Sequence, residues 1–111
     1  MTIGELLIND ISVDVDFAIA GIQKGDIRMM IASMERGRAL CQFAKKLVIQ
    51  KYQVGSWGKA TLRLNRIARD IETFRMGYDG WNVNDKIVQE TLDEIEELER
   101  LLRLKEKGKL E

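Results

Sequence analysis

IRMMIASMERGRALCQFAKKLVIQKY, residues 27–52, is the stretch on which the fold turns. Met30, Met34, Gly37, Cys41, Ala44, Val48 and Tyr52 recur at steps of three and four, and Ile27, Ile31, Leu40, Phe43 and Leu47 widen that stripe beyond a single seam. The pattern predicts one long helix, central to the fold and about 39 Å from end to end. Gly37, Cys41 and Ala44 keep its middle thin, so another helix can cross it closely there.

Working outward, Lys24-Gly25-Asp26 reads as a stop and a restart, with Gly25 suited to a left-handed helix end and Asp26 to the next N-cap. Thr2-Ile3-Gly4-Glu5 has capping-box spacing, which predicts a short helix from Ile3. Between these, Ile11, Val13, Val15 and Phe17 alternate as a strand would, while Ile11, Val15, Ala18, Ile19 and Ile22 fit a helix face. The chain offers no second strand to pair with, so helix is expected over 13–23. Downstream, the break at 53–58 with Ser56 as a cap candidate leads to a helix over 59–76, burying Ala60, Leu64, Ile67, Ile71 and Phe74. A second break at 77–82 has Asp79-Gly80 as its turn signal, and Asn82 or Asn84 is expected to cap a last helix over 84–107. In that helix Val88, Thr91, Ile95, Leu98 and Leu102 sit at heptad-like spacing, beside Leu92 and Leu101. Such a row either packs on the long helix or forms a seam with a second copy.

Composition agrees with an all-α chain: proline is absent, 45% of residues are apolar and 32% are charged. At 111 residues one core suffices without metal or disulfide staples. The expectation is a single domain over 1–109, a bundle of four to five helices. Leu110-Glu111 matches the dipeptide that a common cloning site leaves before a tag and is set aside. The lone Cys41 cannot form an internal disulfide, and no leader or membrane-length apolar run is seen, so the default address is the cytosol.

A net charge of zero hides a basic middle between acidic ends. Residues 1–23 sum to −4, residues 24–75 to +8 and residues 76–111 to −4. The middle is either a phosphate-binding surface or a region neutralised by the ends folding back on it. Lys59, Arg63, Arg66 and Arg69 fall on one flank of the 59–76 helix, and Lys45, Lys46 and Lys51 close the helix before it. Together they suit phosphates or base edges of duplex DNA.

Gly37-Arg38-Ala39-Leu40 through Ala44-Lys45-Lys46-Leu47, then Gly55-Ser56-Trp57-Gly58-Lys59 and Leu64-Asn65-Arg66-Ile67-Ala68-Arg69, resembles the helix-turn-helix region of small phage and plasmid proteins. The resemblance covers residues 37–69. That family has a further short helix between turn and recognition helix, for which almost no residues remain here. What the resemblance implies is base contact by Asn65, Arg66 and Arg69 and a mobile-element origin.

Five of the seven aromatics, Tyr52, Trp57, Phe74, Tyr78 and Trp81, lie at or beside the two breaks, where they either anchor loops to the bundle or stack single-stranded bases. Asn9, Asp10, Asp14 and Asp16 match no calcium-loop spacing and read as a solvated helix face. With no histidine, and Cys41 on the apolar stripe, catalysis lacks its usual groups. No enzyme activity, metal, cofactor or small-molecule substrate is expected. The expected function is a small DNA-binding or DNA-associated protein; the alternative is a helical interaction protein, homodimeric through the last helix.

Overall fold

The computed structural model describes residues 1–77 and 85–109. It contains four helices, α1 Ile3–Lys24, α2 Ile27–Ile49, α3 Ala60–Gly77 and α4 Asp85–Glu106, and no strand among the described residues. The Asp79-Gly80 turn, the rings of Tyr78 and Trp81, the Asn82 or Asn84 cap and Leu110-Glu111 lie outside the described residues.

The capping box forms as its spacing requires. The Glu5 N–H donates to Thr2 Oγ1 at 3.1 Å and the Thr2 N–H donates to Glu5 Oε1 at 3.0 Å. The bonds that the Thr2 N–H and hydroxyl donate to Glu5 Oε1 favour the ionised carboxylate and hold the Glu5 pKa below its ordinary value. From this cap α1 runs unbroken to Lys24, so the short opening helix and the 13–23 helix are one element, and the bundle has four helices rather than five. A strand would turn Ile11, Val13, Val15 and Phe17 to one side. Instead Ile11 and Val15 are buried with Ile8, Ala18, Ile19 and Ile22, while Val13 and Phe17 stay 42% and 48% exposed.

Gly25 ends α1 at φ 74°, and Asp26 Oδ1 accepts from the Met29 N–H at 3.1 Å to start α2. The α2 helix then stops at Ile49, three residues short of the expected Tyr52. Each helix packs on two others: α1 on α2 and α3, α4 on α2 and α3. The expected central helix, α2, therefore holds one corner, and the core lies between all four. Gly37 faces α1, where a Cβ would sit 3.7 Å from that of Asp14. Of the two arrangements expected for the last helix, α4 packs along α2, and the Thr91 hydroxyl donates to the Ile87 and Met34 carbonyls at 2.9 and 3.3 Å.

Since α2 and α3 stand on opposite corners, residues 50–59 must cross one end of the bundle. Val54 is buried in that crossing, and its carbonyl accepts from the Gly4 N–H at 3.0 Å. The Thr2 hydroxyl donates to the Ser56 carbonyl. The Trp57 ring lies on Gly4, where a Cβ would sit 3.0 Å from both the ring and the Ser56 carbonyl oxygen, so a side chain there would push the ring or the crossing back by a few tenths of an ångström. Thr2 thus serves the α1 cap and the crossing together. Thr2→Ala is expected to cost about 1–2 kcal/mol in urea unfolding; an unchanged midpoint would contradict this pinning.

Candidate nucleic-acid interface

Among the described residues, four of the twelve bases of the basic middle pair with acids of the ends. Arg36 pairs with Asp14 of α1 at 3.4 Å, while Arg38 pairs with Glu90 of α4. Lys45 Nζ lies 2.6 Å from Glu94 Oε2, an oxygen that receives no well-aligned hydrogen bond, so charge rather than bond geometry holds that pair. Arg75 Nε and Nη2 grip the Asp85 carboxylate at 2.9 and 3.0 Å. Arg63 Nη2 donates to Asn9 Oδ1 of α1 at 3.2 Å. Lys45 and Arg63, both expected to meet nucleic acid, are thereby engaged within the bundle. Burial raises the Asp14 pKa, and Arg36 opposes that shift.

The α3 flank divides. Arg66 is exposed and points to solvent, but Asn65 and Arg69 line a groove shared with Glu72, Glu96 and Glu99. Burial and the neighbouring Asp93, Glu72 and Glu99 push the Glu96 pKa up, which reports negative charge crowding there. A phosphate backbone laid along this groove would meet those carboxylates. Nor does α2 lie alongside α3 as a supporting helix would, since the two occupy opposite corners.

One end of the bundle differs. The pairs Arg38–Glu90 and Gln42–Glu94 show α2 and α4 running parallel, so both finish at one end, where Lys51 and Lys105 line one groove and the exposed Lys46, Lys59, Lys107 and Lys109 lie nearby in sequence. Among the described residues none of these six lysines has an ion-pair partner. Among the described residues two acids share this end: exposed Glu106 and half-buried Glu5, whose carboxylate lies against Gly58 beside Lys59. The helix C-termini favour cations there through their partial negative charge. The last three lysines escaped the sequence reading because residues 76–111 sum to −4. The signal lay within that segment: its acids concentrate over 85–99, and residues 100–109 hold five bases against Glu106.

The crossing shapes this end. The Tyr52 N–H donates to the Leu47 carbonyl at 3.0 Å and the Lys51 N–H to the Val48 carbonyl at 3.2 Å, a Schellman closure with Lys51 in the left-handed position at φ 58°. The same closure ends α1 and α4, where Gly25 and Gly108 take that position at φ 74° and 66°. A lysine there carries strain that glycine avoids. Lys51→Gly is expected to stabilise the fold by about 0.5–1 kcal/mol in thermal unfolding while weakening polyanion binding. A groove of about 360 Å³ beside it is lined by Lys51, Tyr52, Gln53, Val54, Trp57 and Lys105, with Gly55.

Val88, Thr91, Ile95, Leu98 and Leu102 are each at most 2% exposed and form the α4 side of the core. They pack within one chain. Cys41 is buried with them, and burial, reinforced by Glu94, pushes its thiol up to about 12, far from a reactive thiolate. Among the described residues no three His, Cys, Asp or Glu side chains gather as a metal site. No helix among them is long and apolar enough to cross a membrane. Compared with protein-family models, curated proteins and solved structures, the chain matches none of them.

Proposed function

We propose that this chain is a small DNA-binding or DNA-associated protein that grips the phosphate backbone with the basic end of its bundle. One observation carries the reading: six exposed lysines, none with an ion-pair partner among the described residues, lie at one end, while Arg36, Arg38, Lys45 and Arg75 are each paired with an acid of α1 or α4. Flexible ammonium groups suit backbone phosphates, which position a protein without specifying sequence. Arg66 extends the surface along α3. A mobile-element origin, which the helix-turn-helix resemblance implies, accompanies this reading, as does a cytosolic address, which a lone cysteine suits.

Fluorescence anisotropy of a labelled mixed-sequence duplex, titrated at about 50 mM and about 200 mM salt, tests it. Four phosphate contacts predict roughly a hundred-fold loss of affinity between the two conditions. Absence of binding at the lower salt would sink the proposal.

A second reading, a protein-interaction module, is favoured by the outer face of α1. Leu6, Val13 and Phe17 are 47%, 42% and 48% exposed at helical spacing, between the exposed carboxylates Asp10 and Asp16. Concentration-dependent mass that Phe17→Asp abolishes would support it.

A further inference from the structure

We propose that the groove between the crossing and the end of α4 takes single-stranded nucleic acid, one base stacking on Tyr52 while Lys51 and Lys105 hold the flanking phosphates. The proposal rests on the nucleic-acid reading above and deepens it by naming the form of the strand.

Tyr52 is 60% exposed, whereas Trp57 and Phe74 are packed against the core. Its ring therefore contributes little to folding. Its backbone is nonetheless held firmly, by the Schellman bond to the Leu47 carbonyl on one side and by buried Val54 on the other. A ring presented on a fixed backbone is a stacking platform for which the backbone part of the ordering cost is already met before a ligand arrives.

The charges around the ring come from two elements. Lys51 projects from the crossing and Lys105 from the last turn of α4, and both line the groove that holds Tyr52 and Trp57. A second depression continues past Trp57 over Gly55, Ser56 and Gly58 to Lys105 and Glu106. An aromatic face between cations on a continuous track matches how single strands are held, with bases on rings and phosphates on ammonium groups. A duplex keeps its base faces stacked inside and can offer this end phosphates and groove edges but no ring face to stack on. The ring would then be idle.

The test compares a labelled single strand of about 12 nucleotides with its duplex, by anisotropy at matched salt, for the unaltered chain, Tyr52→Ala and Tyr52→Phe. The expected result is tighter binding of the single strand. Tyr52→Ala should weaken that binding by about 5- to 100-fold, change duplex binding less than about two-fold, and leave the melting temperature unchanged. Tyr52→Phe should keep the single-strand affinity. Salt-sensitive duplex binding with no effect of Tyr52→Ala on the single strand would overturn this inference alone. Failure of both nucleic acids to bind would overturn it together with the reading beneath it.

Discussion

Reversing three lysines together, Lys51→Glu, Lys59→Glu and Lys105→Glu, is expected under the proposed function to lower duplex affinity at least about a hundred-fold at low salt and to flatten its salt dependence by roughly three contacts. The three residues come from the crossing, the approach to α3 and the end of α4, and all are exposed. None supports the core, so thermal unfolding should remain cooperative. The contrasting pair is Arg66→Glu with Arg69→Glu on the length of α3. Because Arg69 already lies among Glu72, Glu96 and Glu99, this pair should weaken binding much less. The opposite ranking would move the interface onto α3, where the helix-turn-helix resemblance would put it. Measurement is by anisotropy on the same duplex, each variant first checked by circular dichroism.

Ile95→Asp is expected to unfold the chain rather than to yield a folded monomer. Ile95 is fully buried between α4 and its neighbours, so a carboxylate there would be desolvated without a partner. The penalty, about 4 kcal/mol or more, is comparable to the whole stability of a small domain. Circular dichroism should show lost helicity, and size exclusion an expanded or aggregated species. A folded variant of lower mass would instead identify the α4 row as a seam between copies. Phe17→Asp, on the outer face of α1, should stay folded in the same assays.

The helices were legible because their signals are local. The Thr2 to Glu5 box, Gly25 with Asp26, and the stripe from Met30 to Val48 each specify an end or a face within a few residues. What local pattern could not carry was the arrangement of corners. Heptad-like spacing at Val88 to Leu102 says that a face is buried and is silent on whether its partner is α2 or another chain. Fusion of the first two segments was obscured by β-branched Ile11, Val13 and Val15, whose alternation imitates a strand. Of the candidate site, Lys46, Lys51 and Lys59 were found by charge. Lys105, Lys107 and Lys109 were hidden by the acids that precede them, and only parallel α2 and α4 bring the two groups together. Lys45 and Arg63 could not be set apart from their neighbours by sequence, because their partners Glu94 and Asn9 lie about fifty residues away.

The most direct measurement is an amide chemical-shift titration of the isotopically labelled chain with a short nucleic acid at low salt. Binding through the basic end predicts perturbations clustered over 46–59 and 103–109, with the far end, around Gly25 and Asp85, unmoved. Perturbations running along 63–73 with the crossing unaffected, or none at all, would contradict it.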